Sequence, residues 1–382
     1  MKIALPDEAG RKVDYVLTGV SLPRTVLPPH PARIIYSAAH VVADPFADTD
    51  PSGHAAIDWD RTLEFRRHLA GLGLGIAEAM DTAQRGMGLD WSRSLELIRR
   101  TRVELPDALI GNGCGTDQLN PRDARSVDQV ISAYLEQAGA IQAVGGSLIL
   151  MASRALVQVA KTPDDYRRVY RAVLSECDRP VILHWLGEMF DPALAGYWGT
   201  RDFDSALETV LAIIDENRPK IDGIKISLLD KDKEIILRRR LPEGVRMYTG
   251  DDFNYPELIQ GDEKGFSHAL LGIFDPLAAA AVFAVNRLGE GDVAGFRAVL
   301  DPTVPLARLI FRAPTQYYKT GVVFLAWLNG FQDHFVMLNG AQAMRPLPDF
   351  TGIFRLADGC GLLRDPDLAV SRMKTLLAFY GA

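Results

Sequence analysis

Between about residues 31 and 292 a short apolar run, a polar turn and an amphipathic helix recur eight times. Strand-length runs separated by helices cannot pair through tight hairpins. They need crossover connections, and crossovers make a parallel sheet with helices packed outside it. The runs are RIIYSAAHVV, GLGIAEAM, ALIGNGCG, GSLILMAS, RPVILHWL, IDGIKISL, VRMYTGDD and FSHALLGI. Eight such units over roughly 260 residues match the usual size of a closed (β/α)8 barrel. The rival, an open doubly wound sheet, calls for a glycine-rich phosphate loop after an early strand. GNGCG follows only the third run and lacks the rest of that fingerprint, so it is read as a tight turn. The predicted fold is an α/β TIM barrel over residues 31–292, after a peripheral extension, 1–30, and before a C-terminal helical subdomain, 293–382. In that last part DVAGFRAVLDPTVPLARLIFRA, YKTGVVFLAWLNGF and DPDLAVSRMKTLLAFYG read as helices, and MRPLPDF as an extended, proline-bounded connection.

Composition narrows the partners. A formal charge of −7 over 382 residues argues against nucleic acid or an anionic membrane as the main partner. No apolar run is long enough to span a bilayer, and MKIALPDEAGRKVDY turns polar too soon for a signal peptide. Cys114, Cys177 and Cys360 are odd in number, far apart and without zinc-ligand spacing. They fit a reducing, cytoplasmic setting.

Barrel chemistry gathers at the C-terminal ends of the strands. That rule selects His40, Asp81, Thr82, Asn112, His184, Lys225, Asp251 and Asp252, with His268 on or near the last strand. Lys225 is the odd residue, an ammonium inside the apolar run IDGIKISL. Partial desolvation there disfavours the charged form, and a neutral amine can attack a carbonyl to form an imine. Equally open is a lysine paired with a carboxylate for structural reasons. His184, after PVIL, is either a general acid or base or a hydrogen-bonded structural histidine. Asp251 and Asp252 could cap a helix, tether the lysine or bind a metal, and Asp81 and Thr82 could hydrogen-bond a substrate or cap a helix. A metal held by His40, Asp81, His184, Asp251 and His268 is the second reading, although none of these forms a local ligand pair.

Laid end to end, the segments resemble the dihydrodipicolinate synthase and N-acetylneuraminate lyase superfamily of class I aldolases, over roughly residues 31–380. IDGIKISLLDKD looks like that family's lysine strand, and PVILHWLGEMFDP stands where the family carries its catalytic tyrosine. MYTGDDFNYPELIQGDEKGFSHALLGIFDP is similar to its last two barrel units. MRPLPDF resembles its C-terminal segment, and MDTAQRGMGLDWSRSLELI takes the place of its Gly-Thr-Thr-Gly loop. The resemblance implies a barrel with a C-terminal helical subdomain, an imine on Lys225, no cofactor and no resident metal. It also implies a homodimer or homotetramer, an expectation joined by the aromatics Tyr317, Tyr318, Phe324, Trp327, Phe331 and Phe335, which need a surface to pack on.

The departures shape the expected chemistry. His184 replaces the tyrosine and would shuttle the proton. Of the carboxylate-gripping loop only Thr82 survives, and Asp81 would repel a carboxylate. Met189 falls where several members place an arginine, and LILMASRALVQ offers no tyrosine to lend across a dimer. The expected function is therefore a Schiff-base lyase or dehydratase for a small carbonyl or sugar-derived substrate, not dihydrodipicolinate synthesis itself. Lys225 would be the nucleophile, with Asp81, Thr82, Asn112, Asp251 and Asp252 around the substrate. The alternatives are a metal-dependent barrel lyase, isomerase or hydrolase, and a non-catalytic barrel that binds a small carbonyl ligand.

Overall fold

Every one of the eight apolar runs forms a strand. In the computed structural model, which describes residues 1–7, 9–48 and 55–382, they close into one parallel barrel. An antiparallel hairpin of β1 (Lys2–Pro6) and β2 (Lys12–Val16) comes first. The barrel strands are β3 (Ile35–Ala38), β4 (Gly75–Glu78), β5 (Ile110–Cys114), β6 (Ser147–Leu150), β7 (Val181–Leu186), β8 (Ile221–Ser227), β9 (Arg246–Thr249) and β10 (His268–Leu271). Each pairs with the next in chain order, and β10 pairs with β3 to close the ring.

The strand period of two divides the side chains between two environments. Tyr36, Ala38, Ala77, Ile149, Ile182, Tyr248 and Leu270 fill the barrel interior. Their sequence neighbours, such as Leu148, Leu183, Ile224 and Ile226, face outward and pack under the helices. The two interior tyrosines fit because the strands beside them carry glycine: a Cβ on Gly223 would stand 2.8 Å from the Tyr248 ring. Aspartates start many of the surrounding helices. Asp58, Asp202 and Asp230 each accept a backbone N–H three residues on, a cap that contributes about 1 kcal/mol apiece.

After the eighth barrel helix, Ala278–Gly289, the α-helices are Val293–Leu300, Val304–Ile310, Tyr318–Leu328, Leu347–Gly359 and Pro366–Phe379, with no further strand among the described residues. One of these overturns an expectation. MRPLPDF is not an extended connection, because the helix Leu347–Gly359 begins inside it. Pro346 is its N-cap and Pro348 lies in its first turn, where a missing N–H costs nothing. The prolines mark a helix start.

The N-terminal extension is not peripheral either. Ile3 and Leu5 are buried in the main core. The Tyr15 hydroxyl donates to Asp358 Oδ2 at 2.8 Å and the Thr18 N–H to the same atom at 2.9 Å, tying the segment to the helix Leu347–Gly359. The helix Tyr318–Leu328 is buried along all 11 residues. Phe324, Trp327, Phe335 and Phe350 pack on one another inside the chain. Those rings find their surface within one chain and supply no argument for assembly. Among the described residues no helix is long and apolar enough to cross a membrane.

Candidate active site

The lysine in the apolar run faces the barrel interior. In β8 the outward positions are Ile224 and Ile226, so Gly223, Lys225 and Ser227 point inward. The register sets Lys225 beside His184 of β7 on one side and Tyr248 of β9 on the other. Lys225 is 8% exposed, and among the described residues no hydrogen bond or ion pair engages its Nζ. Gly250, just after β9, leaves it room: a Cβ there would lie 2.7 Å from Lys225 Cε.

The walls of the Lys225 pocket come from strand ends around the barrel and from the C-terminal helices. They include Asp81 and Thr82 after β4, Asp252 after β9, Gly272 after β10, and Phe311 and Tyr318 from the C-terminal helices. Thr82 Oγ1 and the Tyr318 hydroxyl are 2.8 Å apart and buried. Tyr318 stacks on Phe311 with ring centroids 4.3 Å apart. Asp252 Oδ1 accepts the Ile273 N–H at 2.9 Å.

Burial governs the charges here. It pushes the Lys225 ammonium down, against the nearby carboxylates of Asp252 and Asp81. It pushes the Asp252 carboxyl up, against the Ile273 N–H and the Lys225 charge. Both shifts drive the pair toward a neutral amine and a neutral acid, which is the form in which the amine carries a free electron pair. His184 is 1% exposed. Burial, then the Lys225 charge, holds its imidazole well below the usual histidine range. Its Nε2 lies 3.3 Å from Ser227 Oγ, while its buried Nδ1 has no hydrogen-bond partner among the described residues. Burial raises the Tyr318 hydroxyl well above the phenol range, so it keeps its proton.

His184, Asp81 and Leu186 also line a wider cavity of about 190 Å³. A water takes roughly 10–15 Å³ by that measure, so the space suits a sugar-sized molecule. Its polar groups are largely matched among themselves. Arg85 grips Asp117 and the Gln137 side chain, Arg154 pairs with Asp191 at 2.5 Å, and the Thr116 and Ser153 hydroxyls are 2.6 Å apart.

The structure thus brings together Lys225, His184, Asp81, Thr82 and Asp252. It separates the rest. Asp251 turns away to accept the N–H groups of Phe253 and Asn254, the capping role. Asn112 pairs in register with Glu78 and Leu148 on the outward side of the barrel wall and donates to the Ser147 carbonyl at 2.9 Å, so it is not placed to meet a substrate. His40 bonds Asp275 at 2.8 Å and packs on Phe65 outside the barrel. His268 opens β10 at the opposite end and accepts the Ile34 N–H. The five metal-ligand candidates therefore do not converge, and no group of three His, Cys, Asp or Glu able to hold a metal occurs among the described residues. Tyr318 and Ser227 are the site residues that sequence reasoning missed. Ser227 could have been found from strand alternation with Lys225. Tyr318 carries no local signal, because its partner Thr82 lies 236 residues away.

The family model described as Protein of unknown function (DUF993) matches residues 3–382. No curated protein matches the chain. Among solved structures, dihydrodipicolinate synthase from Thermotoga maritima superposes with a TM-score of 0.66 at 14% identity, covering 87% of this chain and 100% of its own. A prophage protein of the dihydrodipicolinic acid synthase family from E. coli K12, solved in complex with pyruvate, gives 0.64 at 13% identity, covering 92% and 99%. The 4-hydroxy-tetrahydrodipicolinate synthase of Methylacidiphilum fumariolicum SolV gives 0.62 at 18% identity, covering 91% and 98%. At these identities the likeness is one of fold: a TIM barrel of dihydrodipicolinate synthase type with a helical C-terminal region.

Proposed function

The chain belongs to the DUF993 family, and we propose that it is a class I aldolase-type lyase or dehydratase working through an imine on Lys225. The observation that carries this reading is the state of that lysine: buried, without a hydrogen bond or ion pair among the described residues, and pushed toward the neutral amine at the mouth of the barrel.

The steps follow from the groups around it. The Lys225 amine adds to the carbonyl carbon, a C–N bond forms, and the carbonyl oxygen takes a proton. The Thr82–Tyr318 hydroxyl pair, which lines the same pocket, can donate to that oxygen. Loss of water then gives the imine, whose protonated nitrogen withdraws electrons from the adjacent carbon. Neutral His184, with Nδ1 free, accepts the proton or polarises the hydroxyl that leaves in the lyase or dehydratase step. Asp252 holds the proton that Lys225 gives up. No step calls on a metal or a cofactor.

The substrate class follows from charge. Asp81 stands by the nucleophile, and the arginines of the wider cavity are already paired with carboxylates. Among the described residues no cation lining the wider cavity is left unpaired for a substrate carboxylate, whereas hydroxyls would find Thr116, Ser153 and Asp81. We therefore assign a small neutral or sugar-derived carbonyl compound, handled by a homodimer or homotetramer as the family resemblance implies. The test is turnover of a panel of sugar ketones, aldehydes and α-keto acids by the wild type and by Lys225→Ala. The variant should be inactive on every compound the wild type consumes. Turnover that survives Lys225→Ala rejects the imine, and an inert wild type favours the ligand-binding barrel.

A further inference from the structure

The two spaces at the mouth of the barrel are unequal. Beside Lys225 about 20 Å³ is free, against about 190 Å³ in the wider cavity. A water takes roughly 10–15 Å³ by that measure, so the lysine pocket admits a carbonyl with a short substituent and little more. The longer part of a substrate must lie in the wider cavity. Among the described residues only Asp81 and Leu186 line both spaces. They mark the throat, and a substrate bound across it has its middle bonds beside Asp81.

Asp81 is also the carboxylate that the fold leaves unpartnered. The other aspartates around the two spaces are engaged: Asp117 with Arg85 at 2.6 Å, Asp191 with Arg154 at 2.5 Å, and Asp252 Oδ1 with the Ile273 N–H at 2.9 Å. No hydrogen bond or ion pair engages the Asp81 carboxylate among the described residues. Its charge nonetheless reaches Lys225 and the buried Lys319, and strengthens the hold of each on a proton. An unpartnered carboxylate beside the middle of a bound substrate is placed to take a proton from it.

We propose that Asp81 is the catalytic base of the bond-breaking step, acting on a hydroxylated ketone whose short carbonyl end sits on Lys225 and whose longer end fills the wider cavity. This rests on the imine reading of Lys225. Asp81 takes the proton from the hydroxyl on the second carbon from the imine carbon. That C–O bond becomes a carbonyl, the bond between the first and second carbons breaks, and its electron pair passes to the imine. An enamine stays on Lys225 and an aldehyde leaves. Asp81 then returns its proton to the enamine carbon, and water releases the short ketone. No oxidant, reductant or further reactant is consumed. The reaction is thereby a carbon–carbon cleavage, and His184, which lines the wider cavity, polarises the hydroxyl.

The test takes hydroxyacetone and dihydroxyacetone as the short end and glyceraldehyde as the long one. In heavy water the wild type should exchange the hydrogens next to the ketone carbonyl, followed by proton NMR, and with glyceraldehyde it should join the two pieces. Asp81→Asn keeps the size of the side chain and removes the base. Borohydride should still fix either ketone on its Lys225, at least as fast as in the wild type, because the charge that helped the lysine keep its proton is gone. Exchange and joining should fall about 10²–10⁴-fold. Asp81→Glu, which restores a carboxylate, should exchange faster than Asp81→Asn. Wild-type exchange in Asp81→Asn, or equal rates in the two variants, overturns the assignment and leaves the imine standing. Loss of labelling in Asp81→Asn also overturns it, because the residue would then serve imine formation or the fold. If larger carbonyl compounds label wild-type Lys225 and neither short ketone does, the placement of the short end is wrong. If no carbonyl compound labels Lys225, the imine reading fails and this proposal with it.

Discussion

Gly250→Ala separates the position of the lysine from its mere presence. A Cβ at residue 250 would stand closest to Ser227 Oγ, and 2.7 Å from both Lys225 Cε and the Ile226 carbonyl oxygen. Ordinary contacts are about 3.5–4.0 Å, so the lysine side chain must retreat by about 1 Å. Strain of that kind in a filled interior costs about 1–3 kcal/mol of stability. The effect on chemistry is larger, because a nucleophile displaced by about 1 Å loses about 10²-fold in rate. The variant should therefore fold, lose modest stability in urea unfolding, and form the imine about a hundredfold more slowly under borohydride. Gly139→Ala is the control. It lies in the helix Val127–Ala143 with open space around its Cβ, and it should be neutral or slightly stabilising. Imine formation at the wild-type rate in Gly250→Ala would refute the claim that this strand holds the reacting amine.

His184→Phe and Tyr318→Phe should each keep the fold and lower kcat by about 10²–10⁴, the usual weight of a proton-transfer group, as steady-state kinetics would record. Because burial holds His184 well below the ordinary imidazole range, the wild-type pH–rate profile should owe no limb to it: a limb near pH 7, where burial pushes Asp252, should persist in the residual activity of His184→Phe. The negative charge of Asp252 raises the lysine's affinity for a proton, so Asp252→Asn should move the acid limb of that profile downward by about 1–3 units. Glu234, buried under the Thr249 and Ser267 hydroxyls, is pushed up to about 8, so the folded chain holds its proton more tightly than the unfolded one. Its contribution is full below the unfolded carboxyl value and is lost as pH rises through about 8. Glu234→Gln should therefore flatten a decline of a few kcal/mol between about pH 4.5 and 8, measured by urea unfolding at each pH.

The barrel was legible because burial on both faces forces strand-length apolar runs, and crossovers force helices between them. Lys225 stood out for the same reason, as a charge where the pattern called for none. What the sequence hid depends on direction or distance. Asp251 and Asp252 are adjacent, and only the turn after β9 decides that one caps and the other enters the pocket. Asn112 sits one position out of phase with the interior, a parity that could be counted only once the register was fixed. Tyr318 reaches Thr82 through the packing of a helix far along the chain. The helix Leu347–Gly359 was missed because Pro signals an end and a beginning alike.

The central claim is an imine on one lysine, and reductive trapping tests it most directly. The protein is incubated with each carbonyl compound of the panel and borohydride, digested, and the added mass located by peptide mass spectrometry. The account predicts the reduced adduct on the peptide that contains Lys225. It predicts none on Lys220, Lys231 or Lys233, nor on Lys319, whose Nζ is already bonded to the Gln316 carbonyl at 3.0 Å. A compound that is turned over while Lys225 stays unmodified, or an adduct on Lys319 instead, would contradict it.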